Sequence, residues 1–229
     1  MLKNILLDLD DTILDFKKCE HVALDTALTS LNIPHNESTL ELYSRINELH
    51  WKKLETGEIT RNQVLLGRFE MLFEQIGADC SGELAWKTYE EMLSRQHFFI
   101  PRAQEMLEYL KDRFDLYIVS NGTASVQDRR IEGADLEKYF KKIFISQRVG
   151  VNKPDVRFFE RCFNEIDNFK KQETIIIGDS LSSDIQGGIN AGITTCWYNP
   201  KGTQAPEDMK IDYIIGDLGN LYGADNILE

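Results

Sequence analysis

Long apolar runs are absent from this sequence. None approaches the roughly 20 consecutive apolar residues needed to cross a bilayer, so no membrane span is expected. The amino terminus, MLKNILLDLDD, reaches Asp8 too early to supply the apolar segment of a secretory signal. No small-residue cleavage site follows, and this reading points to the cytoplasm. Positive charge is also scarce. Lys and Arg number 26 against 38 Asp and Glu, for a formal net charge of −12. Such a surface repels polyanions and argues against duplex DNA or RNA as a partner. A small phosphate-bearing molecule stays open if its site supplies positive charge locally. The four cysteines, Cys19, Cys80, Cys162 and Cys196, are far apart and form no C-x-x-C pair. That spacing argues against a zinc site and for reduced, packed thiols.

What the chain does contain is an ordinary globular balance, 42% hydrophobic and 28% charged over 229 residues. That length is enough for one large core, or for a core plus a smaller unit. Three aliphatic runs, 3–9 (KNILLDL), 115–120 (DLYIVS) and 173–178 (ETIIIG), read as buried parallel strands. Weaker strands are expected at 143–146, 194–198 and 211–215. Helical patterns lie between them. Pro101 is expected at a helix start, with Ala103, Leu107, Leu110 and Phe114 on one face. Pro154 is expected to open another helix, bearing Val156, Phe159, Phe163 and Ile166. The alternation implies an α/β fold, a doubly wound parallel sheet of Rossmann-like type.

Residues 16–97 have a different texture. They hold no convincing strand and read as four helices, about 16–31, 37–55, 60–76 and 81–96. Thr60 and Ser81 suit N-caps, and Gly57 and Gly77 suit helix ends. The expected organisation is a core of 1–15 with 98–229, interrupted by an all-helical insertion at 16–97. An insertion directly after the first strand would lie over the carboxyl end of the sheet, as a lid. There is no internal repeat and no low-complexity segment.

The chemistry-bearing residues fall at the ends of the expected strands. Asp8 and Asp10, two apart, point to one side of a strand end. Two carboxylates this close call for a cation, and Mg²⁺ suits an all-oxygen site. The plain alternative is a chance acidic turn. Ser120-Asn121-Gly122 can bind phosphate oxygens through a hydroxyl and backbone N–H groups, although the same tripeptide is a common turn. Lys153, before Pro154, could neutralise developing negative charge; most such pairs are simply helix starts. Asp179 follows the third strong strand and Asp184 lies five residues on. Asp179 suits a direct metal ligand, while Asp184 suits a ligand, an orienting residue or a helix cap.

The order of these weak signals is more specific than any one of them. D-x-D-x-T, S-N-G, K-P and G-D-x-x-x-x-D occur in sequence, each at or just beyond a strand's carboxyl end. This series resembles the haloacid dehalogenase-like superfamily of phosphatases. The resemblance covers essentially the whole chain, because the helical insertion is similar to that superfamily's four-helix cap. It implies Asp8 as the nucleophile that becomes an aspartyl-phosphate, and Asp10 as the general acid and base. Thr12 would steady the loop. Ser120, with the backbone of Asn121 and Gly122, would hold the phosphoryl group, and Lys153 would pair with Asp8 and phosphate. Mg²⁺ would be held by Asp8, the backbone carbonyl of Asp10, and Asp179, with Asp184 near or in its shell. The presence of Asp10 sets the chain apart from the superfamily's metal-free dehalogenases.

The stretch LHWKKLETGEITRNQVLLGR (49–68) is similar to the cap of bacterial pyrimidine 5′-nucleotidases that act on noncanonical nucleotides. It implies a nucleoside monophosphate as the small-molecule partner. Charge and the absence of apolar runs add no nucleic acid polymer and no membrane to the expected partners, and a monomer or homodimer is expected. Relatives acting on sugar phosphates, of phosphoglycolate phosphatase or beta-phosphoglucomutase type, share these motifs, and a non-catalytic phospholigand-binding protein is the third reading. Phe16, His50, Trp51 and Arg68 are the cap residues that could touch a base or sugar. The plainer roles are packing between cap helices for Trp51, a solvated or satisfied histidine for His50 and a cap ion pair for Arg68.

Overall fold

The computed structural model describes residues 2–222 and 226–228. Six parallel strands form one sheet: β1 (Asn4–Leu7), β2 (Asp115–Ser120), β3 (Lys142–Ile145), β4 (Thr174–Gly178), β5 (Thr194–Tyr198) and β6 (Tyr213–Ile215). Their order is β3-β2-β1-β4-β5-β6, so the winding reverses between β1 and β4. The crevice at such a reversal is where open α/β sheets bind ligands. The apolar runs at 3–9 and 173–178 are trimmed by a residue or more in the ladder. Asp8 and Leu9 continue beyond β1 into a loop.

The strands are buried on both faces, hence their unbroken apolar texture. Ile5, Leu7, Ile118 and Ile177 pack with α5 (Ala103–Leu110), while Leu6, Val119 and Ile176 pack with the aromatic face of α8 (Val156–Phe163). Between them lie α6 (Ala124–Gly133), after β2, and the one-turn α7 (Ser146–Val149), after β3. A wide helical turn, Leu181–Ile185, leads from β4 into α9 (Gln186–Ala191).

Both proline expectations need correction. Pro101 is not a helix start: Ile100–Ala103 form a turn closed by Ala103 N–H to Ile100 O (3.1 Å), with Arg102 at φ 66°. Proline favours the second position of such a turn and the left-handed residue follows it. Pro154 also precedes its helix. Asp155 is the cap of α8, its Oδ1 accepting from Arg157 N–H at 2.9 Å, and the Lys153–Pro154 bond is cis.

Four helices follow β1: α1 (Phe16–Ser30), α2 (Glu37–Glu55), α3 (Arg61–Ile76) and α4 (Gly82–Leu93). The Thr60 hydroxyl caps α3 and the Ser81 hydroxyl caps α4, while Gly77 ends α3 at φ 66°. The four helices enclose their own apolar cluster, in which Tyr43, Phe69 and Tyr89 meet with ring centroids 5.0–5.6 Å apart. The chain enters and leaves this helical unit side by side: Leu14 pairs with Phe99, and Asp15 N–H donates to Phe98 O at 2.8 Å. Cys19, Cys162 and Cys196 are buried, and all four thiols are free. Among the described residues, no helix is long and apolar enough to cross a membrane.

Candidate active site

Strand geometry delivers Asp8 to the crevice. Its N–H still bonds Ile177 O of β4 (3.0 Å), so the residue is fixed one step beyond the ladder. The chain then folds back: Leu14 N–H bonds Leu9 O (2.8 Å), and Asp11 adopts φ 57° while its carboxylate takes the N–H of Phe16 (2.9 Å). This tight loop sets Asp8 and Asp10 at the base of a cavity of about 210 Å³ between the sheet and the four helices.

Lys153 is the centre of the site. Its ammonium, 1% exposed, donates to Asp8 Oδ1 (2.6 Å), Asp184 Oδ1 (2.6 Å) and Val119 O (2.7 Å). The loop bearing it is held by Asn121, whose side chain donates to Lys153 O and accepts from Lys153 N–H, both at 2.9 Å. Asp184 Oδ2 accepts from Ser180 N–H at 3.1 Å. Gly178 makes room for that carboxylate, since a Cβ there would collide with it. Asp179 stands beside them, its backbone carbonyl accepting from the Trp197 indole N–H (2.8 Å).

Carboxylate oxygens of Asp8, Asp179 and Asp184 lie within 4.8 Å of one another, while the Lys153 ammonium bonds only Asp8 and Asp184 of the three. Burial pushes the Asp8 carboxyl well above its usual range; Lys153 opposes this, and Asp184 and Asp10 add to it. Burial likewise raises Asp179, reinforced by Asp8 and Asp184. Burial alone would lower the Lys153 ammonium, but Asp184 and Asp8 hold it above its ordinary value. Among the described residues Asp179 has no ion-pair partner. An uncompensated carboxylate in an all-oxygen cluster fits a small divalent cation.

The Asp10 carboxylate faces elsewhere. It takes Arg130 Nη1 (2.5 Å) on Oδ1 and Gln127 Nε2 (2.7 Å) on Oδ2. Gln127 also donates to Ser120 Oγ (2.8 Å), which accepts Gly122 N–H as well (3.1 Å). A Cβ on Gly122 would strike the Gln127 side chain, so glycine is required for this packing. Asp8, Asp10, Ser120, Asn121, Gly122, Lys153, Asp179 and Asp184 therefore all line one cavity. Thr12 does not: it is fully buried, and its hydroxyl has no hydrogen-bond partner.

Of the cap candidates, Phe16, Trp51 and Arg68 line the cavity. His50 does not. It is buried on the other side of α2, its Nδ1–H donating to Ile46 O (2.8 Å) and its ring packed on Gly67. Four residues near the site carry no motif. Gln127 and Arg130, three apart on α6, grip Asp10. Glu55 accepts from Ser182 across the cavity (2.7 Å). Arg61 crosses from α3 to donate to Asn121 O (3.0 Å), Gly122 O (3.2 Å), Ser146 Oγ (2.7 Å) and Asn152 Oδ1 (2.7 Å), with its guanidinium 5.4 Å from the Trp51 ring. The only hint in the sequence was the Gln127/Arg130 spacing, on one face of the helix that follows S-N-G.

Residues 5–198 match the haloacid dehalogenase-like hydrolase family. The HAD-hydrolase YfnB of Bacillus subtilis is 37% identical over 225 residues, 98% of this chain and 96% of that protein. A crystal structure of YfnB, bound to magnesium and described as revealing interdomain movement, superposes with a TM-score of 0.93, covering 99% of both chains. The pyrimidine 5′-nucleotidase PynA of Streptococcus pneumoniae is 38% identical over 86% of this chain and 84% of its own. The pyrimidine 5′-nucleotidase YjjG of Escherichia coli is 28% identical over 95% of each. An L-2-haloacid dehalogenase from Xanthobacter autotrophicus, at 17% identity and a TM-score of 0.73, shares the fold alone.

Proposed function

Since this chain belongs to the haloacid dehalogenase-like hydrolase family, we propose that it is a Mg²⁺-dependent phosphomonoester hydrolase with Asp8 as nucleophile, acting on pyrimidine nucleoside 5′-monophosphates. One observation carries the phosphatase chemistry. Lys153 is buried between Asp8 and Asp184 at 2.6 Å from each, at the point where the sheet reverses, with Asp179 left uncompensated beside them. A carboxylate held against a cation in a closed cleft suits attack on phosphorus, where positioning and charge neutralisation supply most of the catalysis.

The residues fit Mg²⁺ by donor type, oxygen only, and by their excess of negative charge. Asp8, the backbone carbonyl of Asp10, and Asp179 would hold it, and Asp184 would orient Asp8 and Lys153 from behind. When bound, the ion supplies positive charge against the phosphoryl oxygens. The chain's own groups do the rest. Asp8 attacks phosphorus as the ester oxygen leaves, and Asp10 gives that oxygen its proton. Asp10 then takes a proton from water, which attacks the aspartyl-phosphate, releasing phosphate and restoring Asp8. The Ser120 hydroxyl and the N–H groups beyond it hold the transferring group, and Lys153 balances its charge. Gln127 and Arg130 fix the direction of the Asp10 carboxylate.

The nucleotide reading rests on PynA and YjjG and on the cap wall, where Phe16 and Trp51 offer aromatic surface to a planar base. It assigns residues 16–97 to specificity and 1–15 with 98–229 to chemistry. The test is phosphate release from dUMP, UMP and dTMP with Mg²⁺, against ribose 5-phosphate and glyceraldehyde 3-phosphate. Faster turnover of the nucleotides is expected. Faster turnover of the sugar phosphates, or an isomerised product in place of free phosphate, would overturn the assignment.

A further inference from the structure

The helical unit holds a polar network that the phosphoryl chemistry does not use. Glu20 on α1, Asn47 on α2 and Arg68 on α3 are 4%, 3% and 2% exposed. Asn47 Nδ2 donates to Glu20 Oε1 (2.6 Å), and Arg68 Nη1 donates to Asn47 Oδ1 (2.9 Å). The direction of this relay follows from Arg68. A guanidinium only donates, so it takes the Asn47 amide oxygen and leaves the amide NH₂ to face Glu20.

Arg68 occupies the core face of α3, between Leu65 and Phe69 on one side and Leu72 on the other. The rings of Tyr43, Phe69 and Tyr89 surround its guanidinium, with centroids 5.9, 5.4 and 5.0 Å away. Its one side-chain hydrogen bond among the described residues goes to the neutral Asn47 amide, and its buried Nε has no hydrogen-bond partner. Burying an arginine this incompletely satisfied is costly, and a purely structural role would be served by carbonyl or carboxylate acceptors. The side chain also lines the cavity that contains Asp8. The site is thus short of one thing, an acceptor arriving from the cavity.

We propose that Arg68 is a specificity-determining residue that donates to a ring carbonyl oxygen of the substrate's base, and that Glu20, through Asn47, positions it. This rests on the nucleotidase reading above. The three rings pack around the guanidinium, and its hydrogen bond to Asn47 Oδ1 holds it in place. Every pyrimidine nucleotide base carries a ring carbonyl, whereas ribose 5-phosphate presents the same phosphate and sugar with no base. A charged donor meeting a buried neutral acceptor changes binding by about 10- to 100-fold.

The test compares kcat/KM for UMP with kcat/KM for ribose 5-phosphate in the Mg²⁺-loaded enzyme. Arg68→Met should lower the UMP preference about 10- to 100-fold, mostly through KM for UMP. Arg68→Lys, which keeps a donor, should retain part of it. Glu20→Ala should lower the preference several-fold, and Glu20→Gln, whose amide oxygen still accepts from Asn47, should restore much of that loss. A residue that only holds the cap together would change both substrates alike. If the wild-type enzyme prefers UMP and Arg68→Met keeps the full preference, or Arg68→Lys loses as much of it as Arg68→Met does, the Arg68 assignment is wrong while the nucleotidase reading stands. If the wild-type enzyme shows no preference for UMP, the nucleotidase reading fails and takes this inference with it.

Discussion

Replacing Asp179 by Asn should make the metal-free protein more stable and the metal-loaded protein useless. Asp179 clusters with Asp8 and Asp184 but does not pair with Lys153, and burial together with these two neighbours lifts its carboxyl well above its usual range. At neutral pH the ionised carboxylate therefore opposes folding, and a neutral isostere removes that strain. Relief of this kind contributes about 0.5–2 kcal/mol. For a chain of this length each kcal/mol moves the melting temperature by about 2–4 °C, so a rise of roughly 1–8 °C is expected in EDTA. Mg²⁺ at a hundred times its Kd should stabilise the wild-type protein by about 2.7 kcal/mol, or roughly 5–11 °C, and the variant far less. The pH dependence follows from the same carboxyls. Asp8 and Asp179 bind protons more tightly folded than unfolded. Metal-free stability therefore falls as pH rises from the ordinary value of 3.8 through the raised one, so the variant's advantage should shrink as pH is lowered toward 3.8. Differential scanning calorimetry with and without Mg²⁺ makes the measurement. A variant that melts no higher than wild type in EDTA, or that gains as much from Mg²⁺, would refute the reasoning.

Two further outcomes follow from the packing. Gly178→Ala places a Cβ against the Asp184 carboxylate and must displace it from Lys153. A loss of about 1–3 kcal/mol in urea unfolding is expected, along with a collapse of kcat. Arg61→Ala removes four hydrogen bonds from α3 to Asn121 and Gly122, to Ser146 at the start of α7, and to Asn152. It should lower kcat/KM by about tenfold or more and enlarge the radius of gyration seen by small-angle scattering, because the cap loses a charged tether. Unchanged kinetics with an unchanged scattering profile would show that Arg61 is not the tether.

The sheet was legible because its strands are buried on both faces and therefore written as plain aliphatic runs. DLYIVS became β2 without a residue's error. The helix caps at Thr60 and Ser81 were legible because a hydroxyl three residues before a backbone N–H is a local signal. The prolines misled for the same local reason: Pro101 and Pro154 sit in turns whose closing hydrogen bonds depend on the loop that follows. The residues gathered at the cavity were visible as motifs at strand ends, a consequence of parallel topology. Arg130 was not, since its partner Asp10 is 120 residues away and its three-residue spacing from Gln127 does not by itself tell which face of α6 is buried. Arg61 was hidden by the same kind of distance, and its bonds to the carbonyls of Asn121 and Gly122 leave no trace in residue type. His50 and Trp51 were both candidates for the cavity, but a helix turns successive side chains about 100° apart; Trp51 lines the cavity while His50 is a satisfied histidine bonded to Ile46 O.

The claim that matters most is that Asp8 itself carries the phosphoryl group. Asp10→Asn removes the base that hydrolyses the intermediate, so the phosphoenzyme should build up during a single turnover of UMP with Mg²⁺. Acid quenching followed by mass spectrometry of the peptide containing Asp8 is the measurement. The account predicts one phosphoryl group on Asp8 in that variant, and none in Asp8→Asn, which should also be inactive. Phosphate release by Asp8→Asn at the wild-type rate, or a phosphoryl group trapped on any other residue, would contradict it.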